Sequence, residues 1–431
     1  MGWVSTVELA PTGFALSAPE ARIISVSRVR GMGIFLVLLA AVMVGPFGFA
    51  VSAHTRATFL LSAPPGISVS PLAMPVRWVS VPLALVCAVL GATLVLRKRE
   101  RGSYLIFGLG VIVFLWAFLA WAARGAELNF VEMLAESLGY ATPLLFGSMS
   151  GMMCERSGVV NIAIEGQFLA GAFLGAMIGS ATGNLWLGVL AGMVAGGVFG
   201  ALLAFLALRY GADQIIIGVV IVALCTGLTN FLTEQVLSTN QSLNTGATFS
   251  PQGIVLVDKI PILGPVLFYQ NDFFYGAALL LVAIHIGLFR TRWGLRVRAV
   301  GEHPRAAETV GIHVLSVRYR NVIMGGVIAG IGGAWFTIGN SGTFAAGMTA
   351  GLGYVALAAM IFGRWRPFGA LGAALLFGFS QSLQSFLAVL NVGIPSPFLS
   401  MAPYVITIAV VSGLVGRVRP PASDGVPYSR E

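Results

Sequence analysis

Residues Leu185-Trp-Leu-Gly-Val-Leu-Ala-Gly-Met-Val-Ala-Gly-Gly-Val-Phe-Gly-Ala-Leu-Leu-Ala-Phe-Leu-Ala-Leu208 run for 24 positions without a charged side chain. An α-helix rises about 1.5 Å per residue, so about 20 apolar residues cross the hydrocarbon of a bilayer. Gly188, Gly192, Gly196 and Gly200 recur at every fourth position and fall on one face. Small residues at that spacing let helix backbones approach closely in lipid, where apolar burial supplies no drive. Gly171, Gly175 and Gly179 repeat the pattern in the preceding run, and Gly326, Gly330 and Ala334 in a later one. We expect these faces to serve tight structural packing.

Similar runs recur on both sides. Of 431 residues, 57% are hydrophobic and 10% charged. Soluble domains carry about 25% charged residues, so this chain lacks the charge to cover a water-facing surface. A soluble enzyme, a disordered chain and a disulfide scaffold are excluded. The sequence predicts an all-α polytopic membrane protein with about 12 transmembrane helices (range 10–12). The expected spans are 33–53, 78–96, 103–123, 131–153, 161–180, 185–208, 214–236, 273–289, 321–340, 348–363, 368–389 and 400–416. Stretch 337–353 is rich in Gly and Thr and reads as a broken or re-entrant segment.

The net charge of +9 invites a nucleic-acid reading until the basic residues are placed. With the N-terminus inside, 21 of the 25 Lys and Arg fall in cytoplasmic segments. Only Arg56, Arg77, Arg124 and Lys259 lie outside. That asymmetry is the positive-inside signal, and it puts both termini in the cytoplasm. It accounts for the charge without nucleic acid. Cys87, Cys154 and Cys225 sit in or beside apolar runs and form no Cys-x-x-Cys pair, so we expect free thiols. Arg22, Arg28 and Arg30 precede the first run as in a secretion signal, but Gly33 to Ala53 is long for one and further spans follow, so we expect a retained span.

Two regions are not lipid filler. The first is Cys154-Glu-Arg-Ser-Gly-Val-Val-Asn-Ile-Ala-Ile-Glu-Gly-Gln167, which places Asn161, Glu165 and Gln167 in the first turns of a span. A carboxylate there is costly and calls for a partner or a water-filled cavity. Glu165 reads either as an edge acid, paired with Arg156 or capping backbone N–H groups, or as a gate. The second region runs from Thr291 to Arg320. In it Pro304 suits the first position of a helix and Gly311 the residue just past its end. The intervening Arg305-Ala-Ala-Glu308 offers no broad apolar face for lipid, so we expect a short rod that docks on another protein. No Gly-x-x-x-x-Gly-Lys-Ser/Thr loop exists, so P-loop hydrolysis of ATP is excluded. The four His show no metal-ligand spacing, and no catalytic site or cofactor is expected.

In three stretches the chain resembles the permease subunits of bacterial ABC importers of the nucleoside and simple-sugar type, a branch shared with ribose and branched-chain amino acid permeases. They are Glu155-Arg-Ser-Gly-Val-Val-Asn-Ile-Ala-Ile-Glu-Gly166, Trp293-Gly-Leu-Arg-Val-Arg-Ala-Val-Gly-Glu-His-Pro304 continuing to Gly311, and Gly353-Tyr-Val-Ala-Leu-Ala-Ala-Met-Ile-Phe-Gly-Arg-Trp-Arg-Pro367. The first leans towards nucleoside permeases. The resemblance covers residues 131–416, an importer core, followed by a cytoplasmic tail, 417–431. Residues 1–130 depart from it as an N-terminal extension with three extra spans, which we expect to serve packing.

The resemblance implies a multi-pass protein of the bacterial plasma membrane working with a separate ABC ATPase subunit, a second permease subunit and an extracytoplasmic substrate-binding lipoprotein. It implies that Gly301, Glu302, His303, Pro304, Arg305, Ala306, Ala307, Glu308 and Gly311 couple to the ATPase. In-span polar and aromatic residues, Asn161, Glu165, Gln167, Phe168, Trp335 and Tyr354, are the candidates for a nucleoside pathway. A sugar permease is the alternative within this machine. A secondary transporter is the alternative of another class, and it predicts two similar halves with a long loop after the sixth span. Here Arg209 to Asp213 is short, and the large loop follows the eighth.

Overall fold

A computed structural model describes residues 26–63, 66–96, 102–254, 256–390 and 419–428, with positions 392, 395, 397, 398 and 401 between. The expected twelfth span, 400–416, apart from position 401, and the basic loop 97–101 lie outside the described residues. The helices are α1 Val26–Val42, α2 Val76–Leu96, α3 Ser103–Ala122, α4 Phe130–Glu155, α5 Ile164–Thr182, α6 Leu185–Arg209, α7 Gln214–Leu232, α8 Asp272–Arg290, α9 Arg292–Glu302, α10 Pro304–Thr309, α11 Val314–Ala334, α12 Leu352–Phe362 and α13 Pro367–Val389. Among the described residues, nine helices are long and apolar enough to cross a membrane. The chain is an all-α polytopic membrane protein. α4 is 26 residues long but carries Glu132 and Glu136, and α12 has only 11 residues.

The chain divides into two compact units, Met1–His54 with Val76–Trp121, and Thr55–Pro75 with Ala122–Glu431. In the first, α1 meets α2 at a pair of glycines. A Cβ on Gly33 would stand 2.6 Å from the Gly91 carbonyl oxygen. Pro46 cannot donate to the helical ladder, and α1 continues there as a π-helical turn, Met43–Phe49. That turn sets Phe47 against Trp121, ring centroids 4.9 Å apart.

The second unit adds short strands that hydropathy did not foretell. β1 Arg56–Leu60 pairs antiparallel with β2 Leu72–Pro75 and parallel with β3 Glu127–Asn129. Its bundle is organised by the glycine faces. A Cβ on Gly196 would collide with the Gly326 carbonyl, one on Gly330 with the Gly192 carbonyl, and one on Gly171 would lie 2.5 Å from the Gly330 carbonyl. The three faces of α5, α6 and α11 therefore meet one another. Side-chain oxygens start the helices: Asn129 accepts from Glu132 N, Asn184 from Trp186 N, and Asp213 from Ile215 N and Ile216 N.

Two boundaries differ from the hydropathy reading. The ninth span starts at Val314, which brings Arg318 and Arg320 into a helix. The cause is that Arg318 is fully buried and hydrogen-bonded, so it does not behave as a loop charge. The fifth span starts at Ile164, so Asn161 lies in the turn before it rather than in its first turns. Stretch 337–353 is broken: a π-helical turn, Trp335–Ser341, runs into a non-helical segment before α12.

Candidate functional site

The turn from α4 to α5 is a hub on which the three quoted stretches converge. Arg156 donates from Nε and Nη2 to the Trp365 carbonyl at 3.2 and 2.9 Å. Trp365 Nε1 donates to Glu155 Oε2 at 2.6 Å. Arg364 and Trp365 hold left-handed backbone, φ +57° and +51°. Non-glycine residues adopt it only when surrounding contacts hold them there, and the Glu155–Arg156 grip supplies such contacts. Gly301 of α9 lies so close to the Arg156 carbonyl that a Cβ would collide with it.

Glu165 closes the same hub from the other side. Its Oε1 accepts from Thr349 Oγ1 at 2.6 Å and from Gly351 N at 2.8 Å, and its Oε2 accepts from Gly353 N at 2.7 Å. The carboxylate thus caps the N-terminus of α12, where unpaired N–H groups and the helix dipole favour negative charge. This is the capping geometry foreseen for an edge acid, with backbone partners instead of Arg156.

The loop after α8 folds as an elbow of two helices. Thr291 caps α9 by accepting from Gly294 N. The chain breaks at His303, and Pro304 starts α10, which ends before Gly311 at φ +84°. The expected rod is there, and α9 precedes it as a second helix. Ala307 is buried with Val300 and Val314, while Arg305 is exposed and Glu308 half-buried. Beside α10, Arg292, Arg296, His313 and Arg320 border a cleft of ≈ 770 Å³.

The six pathway candidates do not share one cavity. Asn161 donates to Gln167 Oε1 at 3.2 Å inside a sealed polar knot with Ser150 and Cys154. Phe168 is wholly buried against Phe336, centroids 5.6 Å apart. Tyr354 is 44% exposed beside Glu165. Of the six, Trp335 borders a polar cleft of ≈ 480 Å³. One face of α4 forms its wall with Asn129, Glu132, Glu136, Gly139 and Tyr140, at helical spacing. Asn340 and Asn271 complete the opposite side. Trp335 meets Tyr140 edge-on at 6.5 Å, and its buried indole N–H has no acceptor among the described residues. Sequence reading missed Glu132, Glu136 and Tyr140. The signal was present as two acids and a tyrosine at i, i+4 and i+8 on a span.

Comparison with known proteins gives the same picture. The chain is 39% identical to the guanosine ABC transporter permease protein NupQ of Bacillus subtilis, over 68% of this chain and 94% of that one. It is 38% identical to the nucleoside ABC transporter permease protein NupC of Lactococcus lactis, over 69% of this chain and 96% of that one. It is 34% identical to the putative glucose ABC transporter permease protein TsgC13 of Haloferax volcanii, over 66% and 92%. No solved structure matches the chain. Residues 133–415, well over half of the length, match the model for the branched-chain amino acid transport system permease component, and the chain belongs to that family.

Proposed function

We propose that this chain is a permease subunit of an ATP-driven importer of nucleosides in the bacterial plasma membrane, pairing with a second permease subunit and served by an extracytoplasmic substrate-binding lipoprotein. The observation that carries the substrate is its likeness, along nearly the whole of that protein, to a permease named for guanosine. The cleft at Trp335 supports it chemically. Tyr140 offers aromatic surface for a purine, with the buried Trp335 edge-on behind it, and stacking on such surface contributes about 1–3 kcal/mol per base. Glu132 and Glu136 are acceptors for ribose hydroxyls or for the donors on a guanine edge. A volume of ≈ 480 Å³ lies within the usual range of small-molecule sites.

The chain performs no covalent chemistry in this reading. The elbow α9–α10 is the handle of a separate ATPase. Its Gly301 is wedged on the Arg156 carbonyl, so displacement of the elbow reaches the α4–α5 turn directly. From that turn Glu165 leads to α12, and Arg156 to the turn before α13. A closely packed region of this kind transmits strain rather than absorbing it.

The test is ATP-dependent uptake of labelled guanosine, adenosine and ribose into vesicles holding the assembled transporter with its binding protein. Guanosine or adenosine uptake supports the reading. Uptake of ribose alone favours the sugar reading, which the likeness to the Haloferax protein also supports.

A further inference from the structure

We propose that segment 419–428 is a strap that ties α10 to the ends of α4 and α11, so that elbow and bundle move as one body. The proposal rests on the reading of α9–α10 as the ATPase handle.

The strap is anchored at both ends of that path. On the elbow, Ser423 N donates to the Gly301 carbonyl at 2.9 Å and Ser423 Oγ to the Glu302 carbonyl at 3.1 Å. Ala422 N donates to Glu302 Oε2 at 3.3 Å, and the Tyr428 hydroxyl donates to Glu308 Oε2. On the bundle, Arg318 Nη1 of α11 donates to the Val426 carbonyl at 3.0 Å, and its guanidinium lies over the Tyr428 ring at 5.8 Å. Asp424 shares a hydrogen bond with Glu155 at the end of α4.

The elbow needs such a tie. α10 has six residues, and a helix so short is not stable by itself. Its buried residue, Ala307, contributes little apolar area to the cluster with Val300 and Val314. Without the strap, a pull on Arg305 or Glu308 would unwind α10 before it moved the bundle. A groove of ≈ 460 Å³ runs between His303–Ala306 and Ser423, Val426, Pro427 and Tyr428, so a partner seated on α10 also touches the strap.

The tie is linked to a proton. Asp424 faces Glu155 and Cys154 from α4 and Arg318 from α11; Glu302 of α9 binds Ala422 N, and the Tyr428 ring lies against Arg318. Burial raises the Asp424 carboxyl from 3.8 to about 7, against the opposing pull of its bond to Glu155 and of Arg318. The docked strap therefore holds a proton that the free strap loses above its ordinary carboxylate range. Docking is strongest in acid, weakens as pH rises towards 7, and levels off above it.

Hydrogen exchange of segment 419–428, expressed as a protection factor to remove intrinsic pH dependence, tests this on the assembled transporter in lipid nanodiscs. Protection should fall with rising pH, by up to about tenfold per pH unit for one linked proton, and then level off. Asp424→Asn, which removes one of the two facing carboxyls, should flatten that slope. Tyr428→Phe should lower guanosine taken up per ATP hydrolysed severalfold, with recovery of the ATPase in a pull-down unchanged. An Asp424→Asn protein that keeps the wild-type slope overturns the proposal, as does a Tyr428→Phe protein with wild-type uptake per ATP. If the handle reading is wrong, recovery of the ATPase will instead survive charge reversal at Arg305 and Glu308, an outcome independent of the exchange data.

Discussion

Glu165 Oε2 stands 2.7 Å from the amide nitrogen of Gly353, so a carboxylate that begins one span holds the first turn of another. The cost of placing that charge in a span is offset by three hydrogen bonds, two of them from backbone amides at a helix start. This bond joins the first quoted stretch to the third, more than 180 residues along the chain.

Glu165→Gln puts an amide N–H where an acceptor is needed, facing Thr349, Gly351 or Gly353. We expect a loss of about 1–3 kcal/mol in stability, seen as a lower melting temperature in detergent, together with reduced uptake. Wild-type melting and uptake would contradict the capping role.

The glycine faces give a graded prediction. Gly196→Ala drives a methyl group into the Gly326 carbonyl, and backbone cannot yield as a side-chain end can. We expect a cost of about 1–3 kcal/mol and poor recovery of folded protein. Gly276→Ala meets nothing within 4 Å and should be neutral. Equal behaviour of the two in a thermal-shift assay would show that the packing does not depend on close approach.

Much of this was legible in the sequence, for stated reasons. Apolar length found the spans because lipid penalises any unpaired backbone. The four-residue glycine spacing foretold close packing, because it is a property of one helix face, but not that α5, α6 and α11 would be one another's partners. Pro304 and Gly311 marked both ends of α10. The strands β1 to β3 escaped because they are three to five residues long and lie between spans. The wall of Glu132, Glu136 and Tyr140 was passed over because an acid near a span's edge looks like a boundary marker. The burial of Arg318 escaped because its partner, the Val426 carbonyl, lies 108 residues away.

The cleft wall makes a further prediction. Tyr140→Ala should raise the guanosine KM about tenfold or more, by loss of stacking worth about 1–3 kcal/mol, while Tyr140→Phe should keep most of the affinity. The comparison is read from initial rates of uptake at saturating ATP. Identical KM values for Tyr140→Ala and the wild type would remove the cleft from the pathway.

Reversing the charges of Arg305 and Glu308 together should strip the ATPase from the permease in a detergent pull-down, since α10 presents the exposed Arg305 and the half-buried Glu308 on its surface. Recovery should fall at least severalfold. Undiminished recovery would place the docking surface elsewhere on the cytoplasmic side.

The most direct measurement is uptake of labelled guanosine by liposomes holding the two permease subunits and the binding protein, with and without the ATPase subunit. Accumulation against a gradient that requires both the ATPase and ATP is the predicted result. Uphill accumulation by this chain with no ATPase present would contradict it.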